Sequence, residues 1–380
     1  MHTVISWTVL IALLLGTVDY LLGNRFGIGK EFYEGIMSAG RLLACMAGFM
    51  VLAPVLAKGL GSVTAPFFRA FGADPSALAG LILANDSGGA KLAMELADSQ
   101  SGGMFNGLIV GATMGTTVMF NIPLVMSYTK KEERPSAIYG LLSGIATVPL
   151  ACLAGGYAAG FPSFVVLPNT LPVLVISVIL LVLLAALKER IVPGFTVLGN
   201  ILQCISLTGL ACGAVQQLTG LTPIAGMDGL ETVFPVVGGI AVFLAGAFPM
   251  MALVRRAFRR VLTAAGKKLK TNSTGVAGLL VAMANGLPTM SMLHDMDDRG
   301  RIINVAFLVS ASCMLGDHMA FTAQTAPELC GAVALGKAVG GVTAVVLAVF
   351  LAPRLLNQNT PADEKTPGRK IGRAGPAVKE

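Results

Sequence analysis

The chain has 380 residues, of which 54% are hydrophobic and only 12% are charged, and its formal net charge is +7. The mean hydropathy of +0.76 is far above that of a soluble domain, so the composition excludes a soluble globular protein and predicts a membrane protein. The basic excess does not indicate nucleic-acid binding, because the Lys and Arg residues cluster at the ends of apolar runs, where they report membrane topology.

Nine apolar runs come close to the length of about 20 residues that a helix needs to cross the hydrocarbon core. In chain order they lie near Val4–Leu22, Ile36–Ala57, Met104–Tyr128, Ala137–Gly160, Leu171–Leu187, Phe195–Leu218, Val233–Val254, Ile302–Ala320 and Ala332–Leu351. The first run has no Lys or Arg before it and no small-residue cleavage pattern after it, so it is predicted to be a transmembrane helix and not a signal peptide.

Two further apolar segments, Ser76–Leu92 and Gly275–Leu293, are interrupted near their middle. The residues NDSGG (Asn85–Gly89) break the first, and NGLP (Asn285–Pro288) breaks the second. Non-helical backbone at membrane depth is tolerated only where it is buried in protein or lines a cavity. The fold class predicted is therefore an all-α polytopic membrane protein with about 9–11 transmembrane helices and two interrupted or re-entrant segments.

A weak internal repeat with an offset of about 200 residues aligns the two interrupted segments and the motifs that follow them, MGTTVMF (Met114–Phe120) and LGDHMAF (Leu315–Phe321). The predicted organisation is a first membrane repeat, a linking helix, a second membrane repeat and a polar cytoplasmic tail, over residues 1–160, 161–194, 195–353 and 354–380. If both interrupted segments are re-entrant hairpins, the second repeat is inverted relative to the first. If both cross the membrane fully, the repeats are parallel.

The basic residues favour the inverted arrangement. It places on one side, predicted to be cytoplasmic, the loop with Lys130 and Arg134, the loop with Lys188 and Arg190, and the run Arg255–Lys270. The parallel arrangement would place the basic tail outside. The sequence therefore predicts inverted repeats with discontinuous helices near the membrane centre, a plan found in many secondary transporters.

Asp86 in the first break and Asp317 in the motif LGDH are the acids placed deepest in apolar sequence. A carboxylate that faced lipid there would cost about 2.5–3.5 kcal/mol or more, so each is predicted to bind a cationic substrate or carry a proton, unless it pairs with a structural partner. His318 follows Asp317, and the two could form a proton relay. Uncharged polar residues near the same repeat positions are suited to hydrogen-bonding a small solute or to capping broken helices; those predicted in the site are Asn85, Ser87, Thr117, Asn121, Asn285 and Thr322.

Enzyme and ATPase motifs are absent from the sequence. It has no G-x-S-x-G, H-E-x-x-H or Walker A pattern, and its three histidines leave little for a His-rich metal site. The six cysteines lack metal-like spacing and are interpreted as small hydrophobic residues. The motif LGD lacks the preceding glycine of intramembrane aspartyl proteases. We therefore predict no enzyme, no cofactor and no metal, and keep an ion or small-solute channel as the alternative to a transporter.

Three stretches of the chain resemble the EutH family, the ethanolamine permeases of bacterial ethanolamine-utilisation systems. They are GADPSALAGLILANDSGGAKLAMELA (Gly72–Ala97), MGTTVMFNIPL (Met114–Leu124) and DMDDRGRIINVAF…LGDHMAFTA (Asp295–Ala323). The resemblance implies a multi-pass protein of the bacterial inner membrane that imports ethanolamine, with the lipid bilayer and this small molecule as partners and no nucleic acid. The family pattern has Cys before and Met after the first aspartate. This chain has Asn85 and Ser87 there, which leaves open a related amino alcohol, or another small amine, as the substrate.

Overall fold

A computed structural model describes residues 2–257, 264 and 268–358 of the chain. The predicted cytoplasmic tail lies outside the described residues from position 359 onward, and most of the basic run Arg255–Lys270 also lies outside them. Within the described ranges the regular structure is helical and contains no strand.

Fifteen helices carry the fold, and we number them in chain order. They are α1 (His2–Leu21), α2 (Gly29–Ala70), α3 (Ala77–Ile82), α4 (Ala90–Leu96), α5 (Gln100–Tyr128), α6 (Arg134–Ile145), α7 (Val148–Ala158), α8 (Ser163–Leu187), α9 (Val192–Thr219), α10 (Phe234–Ala257), α11 (Ser273–Ala284), α12 (Gly286–Ser291), α13 (Asp298–Ala311), α14 (Asp317–Thr325) and α15 (Cys330–Gln358). Short 3₁₀ turns lie at Lys188–Ile191, Leu230–Thr232, Met292–Asp295 and Pro327–Leu329.

Six helical stretches in the described part of the chain are long and apolar enough to cross a membrane. They are Gly29–Ala70, Gln100–Tyr128, Arg134–Ala158, Ser163–Thr219, Leu230–Ala257 and Pro327–Ala352. The stretch Ser163–Thr219 holds two of the predicted spans, α8 and α9, joined by a 3₁₀ turn. The all-α polytopic membrane fold is thus confirmed.

The most buried of these stretches is α5. In its most apolar 18-residue segment 83% is buried inside the protein, against 33% in that of Ser163–Thr219. Helix α13 is similarly enclosed, since all but one of the residues from Ile302 to Ala311 are buried. The core of the molecule therefore lies around α5 and α13, and α8 and α9 expose much of their apolar surface.

The predicted continuous span Ile302–Ala320 is wrong. Helix α13 ends at Ala311 and α14 begins at Asp317, and the intervening backbone donates hydrogen bonds to the last carbonyls of α11, from Cys313 N to Ala282 O (2.8 Å) and from Leu315 N to Met283 O (2.8 Å). Carbonyls at the end of a helix have no partner within it, so this break satisfies the end of α11. Apolar composition alone does not reveal such a break.

Helices α3 and α4, with the break Asn85–Gly89 between them, form a re-entrant hairpin that we call hairpin 1. The first half of hairpin 1 runs in the same direction as α5, since Ser76 lies beside Asn106 and Leu83 beside Gly115. The second half runs back, since Ala90 lies beside Gly107 and Met94 beside Gly103. The chain therefore reverses at the break, and both ends of hairpin 1 lie near the first residues of α5.

Helices α11 and α12, with the turn Met292–Asp295, form a second hairpin, called hairpin 2. The first part of hairpin 2 runs in the same direction as α13, since Gly275 lies beside Gly300, Gly278 beside Asn304 and Gly286 beside Leu308. The chain then runs back, and Leu293 lies beside Arg301. At its open end His294 contacts Glu133, which follows the last residues of α5, with 2.8 Å between Nδ1 and Oε2. Since α5 is about 43 Å long, the two hairpins enter the protein from opposite ends.

Four glycines spaced every four residues along α5 make the docking of hairpin 1 possible. A Cβ added to any of them would press against hairpin 1 or the residue that follows it; the glycines are Gly103, Gly107, Gly111 and Gly115. Small residues at this spacing form one face of a helix and let another backbone approach closely. This glycine spacing is thus a sequence signal for the close approach of hairpin 1 to α5.

Candidate functional site

The tips of the two hairpins meet at a cavity of about 440 Å³. Hairpin 1 contributes Asp86 and Ser87 to its wall, hairpin 2 contributes Asn285, and α14 contributes Asp317 and His318. Parts of α2 and α5, with Ser312 and Cys313 from the break between α13 and α14, complete the lining. Two carboxylates and several neutral polar groups therefore converge on one space deep within the helices.

Asp86 lies in the break of hairpin 1, where the backbone of Ser87 and Gly88 leaves helical geometry. Gly88 has φ +86°, a left-handed conformation that costs glycine little, and a Cβ at this position would overlap the side chain of Phe49 on α2. The Asp86 side chain is almost fully buried, and its Oδ1 accepts a hydrogen bond from Ser87 Oγ (3.2 Å). The tight turn thus fixes one carboxylate at the cavity wall.

The ring of His318 faces hairpin 1. Its Nε2 lies 4.0 Å from Asp86 Oδ1 and 3.4 Å from Thr116 Oγ1, and its Nδ1 has no hydrogen-bond partner among the described residues. The Asp317 carboxylate has a different neighbour, Cys313 Sγ at 4.0 Å. The structure thus brings His318 to the aspartate of hairpin 1, whereas the sequence suggested a relay with adjacent Asp317.

Six of the nine residues predicted for the site line the cavity: Asp86, Ser87, Asn121, Asn285, Asp317 and His318. The other three bind backbone carbonyls near it: Asn85 Nδ2 donates to His318 O (3.5 Å), Thr117 Oγ1 to Val309 O (2.9 Å) and Thr322 Oγ1 to His318 O (2.7 Å). Lining a cavity is a matter of geometry. The binding of a solute by any of the nine stays a prediction.

Two basic residues beside the cavity were not recognised from the sequence. Arg41 on α2 is exposed and lines the cavity wall. Lys337 on α15 is fully buried behind hairpin 1. The signal that could have identified both is a lone basic residue inside an apolar run, since such residues face a cavity or a partner and not lipid.

A second cavity of about 290 Å³ adjoins the first. Arg41 and Asn285 line both cavities, and Glu31, Glu34 and Arg255 line the second, which we call the vestibule. Arg255 Nη2 contacts Glu31 Oε1 at 3.1 Å. The vestibule therefore lies between the central cavity and the end of the molecule that carries Arg255, the end predicted to be cytoplasmic.

Comparison with known proteins identifies the family. The model of the family described as "Ethanolamine utilisation protein, EutH" matches residues 1–351. The chain belongs to the EutH family. The resemblance seen in the motifs around Asp86 and Asp317 is thus confirmed over nearly the whole membrane part of the protein.

Among relatives, the chain is 42% identical to the "Probable ethanolamine permease EutH" of Listeria monocytogenes, over 96% of this chain and 98% of that protein. It is 34% identical to the protein of the same name from Salmonella typhimurium, over 93% of this chain and 96% of that protein. It is also 40% identical to the Bacillus subtilis protein named "Uncharacterized protein YxeR", over 90% and 92% of the two chains. No solved structure matches the chain.

Proposed function

We propose that this EutH-family protein is a permease of the bacterial inner membrane that imports ethanolamine and is not an enzyme. The names of the Listeria and Salmonella relatives support the substrate. The observation that carries the proposal is the meeting of two carboxylates, Asp86 and Asp317, in one cavity between opposed re-entrant tips. Binding at the midplane, at broken helices from two halves, is typical of secondary transporters.

Protonated ethanolamine is a small cation with one hydroxyl group, and the cavity offers a partner for each part. A carboxylate balances the ammonium, because a bare charge at membrane depth needs a fixed counter-charge. The side chains of Ser87, Asn121 and Asn285 can donate to or accept from the hydroxyl. The cavity is larger than the solute, so water shares it, as in other wet polar sites.

Transport requires that the cavity open to each side in turn. We infer that hairpin 1 and hairpin 2 are the gates, one for each side, because they enter from opposite ends and their tips both touch the substrate space. The vestibule lined by Glu31 and Glu34 is the route toward the cytoplasm. The two membrane repeats, residues 1–160 and 195–353, are the inverted halves that move relative to one another.

Uptake of labelled ethanolamine by proteoliposomes that contain the purified protein tests the proposal. We expect saturable uptake that exceeds uptake by protein-free vesicles and needs no ATP. Discrete single-channel currents in a bilayer would instead favour the channel. Competition by unlabelled amino alcohols and simple amines shows whether Asn85 and Ser87 have shifted the preference to a related amine.

A further inference from the structure

Lys337 is a buried cation that the transport chemistry described above does not use. The residue is 1% exposed, and its Nζ donates to two backbone carbonyls, Ala112 O on α5 and, at 3.4 Å, Ser310 O on α13. Ala112 and Ser310 are about 200 positions apart, the offset of the internal repeat. One ammonium group thus joins corresponding points of the two halves.

Both carbonyls lie where a helix is irregular. Ser310 is in the last turn of α13, where carbonyls have no amide partner within the helix. Ala112 lies in the part of α5 with i→i+5 hydrogen bonding, a geometry often found at functional sites. These are the kinds of backbone group that coordinate Na⁺ in secondary transporters with discontinuous helices.

Close helix packing brings Lys337 to this position. A Cβ on Gly336 would press on Ala151 and Gly155 of α7, and a Cβ on Gly340 would press on Ala151 and Ser310. The glycines on either side of Lys337 therefore let α15 approach α7 and α13 closely enough for a lysine side chain to reach both carbonyls. The sequence builds this site for an ammonium group.

The ammonium lies directly behind the tip of hairpin 1. Gly111, which precedes Ala112, packs against the backbone of Asn85, and the charge of Lys337 acts on the carboxylate of the next residue, Asp86. The other ionisable side chains at the cavity wall are those of Asp317, His318, Arg41, Cys45 and Cys313. Asp86 lines the cavity and interacts electrostatically with Lys337, which does not line it, so this carboxylate has one built-in cation before any substrate arrives.

We propose that the Lys337 ammonium is the internal cation of the site: it occupies the carbonyl position between the two halves, balances Asp86 in the empty transporter and replaces a co-transported metal cation. The inference rests on the proposed transport function. When protonated ethanolamine enters, two cations share Asp86, and their repulsion limits substrate affinity and speeds release.

Ion substitution on the wild-type protein is the first test. Ethanolamine uptake by proteoliposomes is measured in Na⁺, K⁺ and N-methyl-D-glucamine media, with the membrane potential clamped to the same value. We expect equal initial rates. A requirement for Na⁺ or K⁺ would overturn the inference but leave ethanolamine transport intact, whereas failure of the wild-type protein to take up ethanolamine in any medium would contradict the proposed function.

The variant Lys337→Met supplies a kinetic test, with Lys58→Met on the exposed surface of α2 as the matched control. Loss of the fixed charge removes the repulsion, so we expect KM for ethanolamine to fall several-fold together with kcat, and no change in the control. A packing role alone would leave KM unchanged or raise it, and either result would overturn the inference. If the variant does not reach the membrane, ion substitution decides alone.

Discussion

Asp86 and Asp317 share a cavity but have different environments. Asp86 is 8% exposed, accepts a hydrogen bond from Ser87 and faces the ring of His318, whereas Asp317 is half-buried and lies beside the sulfur of Cys313. A carboxylate that is held rigidly and shielded from water interacts most strongly with a bound cation. At the residue scale, we therefore propose Asp86 as the principal counter-charge for the substrate ammonium.

The variant Asp86→Asn should lose nearly all ethanolamine uptake, by about 100-fold or more, because removal of one partner of a buried charge pair costs several kcal/mol. The isosteric amide keeps the volume, so the amount of protein in the membrane should stay the same. Asp98→Asn is the matched control, since its carboxylate is paired with Arg69 at the surface (2.6 Å). Uptake kinetics on membranes with equal protein measure both variants, and wild-type kinetics in Asp86→Asn would return this residue to a structural role.

The sequence was informative about the acids of the site and uninformative about its cations. Asp86 and Asp317 stand out because carboxylates are rare in apolar runs. Arg41 and Lys337 are equally unusual there, but most basic residues of the chain lie at the ends of apolar runs and mark topology, which hides the two that belong to the site. Which polar side chain faces the cavity, as Ser87 does, and which holds a carbonyl, as Thr117 does, depends on helix rotation and three-dimensional packing.

At the scale of elements, the two hairpins are the feature that the sequence left undecided. A segment such as Ser76–Leu92 is long enough to be interpreted as a full crossing or as a hairpin, because apolar length is similar in both. The choice depends on contacts with a neighbouring helix, here the glycine face of α5 that includes Gly107 and Gly111. A one-dimensional scan of hydropathy contains no such information.

The variant Gly88→Ala tests the reversal in hairpin 1. The added methyl group would overlap Phe49, and the alanine backbone would have to keep φ +86°. We therefore expect a marked loss of thermal stability and of uptake. Gly40→Ala is the control, because Gly40 lies within α2 and a Cβ there meets nothing within 4 Å. Thermal unfolding in detergent compares them; equal melting temperatures for Gly88→Ala and the wild type would argue against the hairpin geometry.

The open end of hairpin 2 is held by a charged cluster around Glu133. Burial raises the pKa of this carboxyl, but hydrogen bonds from Lys130 N–H (2.8 Å) and His294, together with the charge of Arg301, outweigh burial, and the net pKa is lowered. A lowered pKa stabilises the folded protein above the pKa of the unfolded state, and this contribution is lost as pH falls through the folded value.

Glu133→Gln should therefore melt at a lower temperature than the wild type near neutral pH, and the difference should shrink as the pH approaches about 4. The exposed neighbour Glu132 provides the control variant Glu132→Gln, for which we expect little change at any pH. Thermal unfolding in detergent across this pH range measures both. A difference between Glu133→Gln and the wild type that does not vary with pH would contradict the electrostatic explanation.

At the scale of the whole molecule, ion pairs mark two ends. One end carries the contacts of Arg134 with Glu189 (2.8 Å) and of Arg255 with Glu31 (3.1 Å). The other carries that of Lys91 with Asp228 (3.2 Å). Arg134, Glu189 and Arg255, which belong to the three basic segments predicted to be cytoplasmic, thus lie at the first end, although most of the run that begins at Arg255 lies outside the described residues. The sequence did not predict the break between α13 and α14. The backbone of this break donates hydrogen bonds to the last carbonyls of α11, about 30 residues earlier in the chain, and hydropathy does not reveal such contacts.

Membrane orientation follows from this distribution if the hairpins are re-entrant. The first residues should then face the periplasm, and the chain after Leu351 should face the cytoplasm. A reporter that is active in only one compartment, fused after Glu380, measures the second point. Cytoplasmic activity is expected, and periplasmic activity would contradict both the hairpins and the inverted arrangement of the repeats.

Substrate protection of Cys45 tests the central claim, that ethanolamine binds in the cavity between the hairpin tips. Cys45 is exposed and lines this cavity, whereas Glu132 is exposed in the loop between α5 and α6 and is not among the lining residues. One variant retains Cys45 as its only cysteine, and a control variant lacks the native cysteines and carries Glu132→Cys; both are treated with a cationic thiol reagent. We expect ethanolamine to slow the modification of Cys45 at concentrations near the KM for uptake and to leave the Glu132→Cys control unaffected; an unchanged rate at Cys45 under saturating ethanolamine would contradict the account.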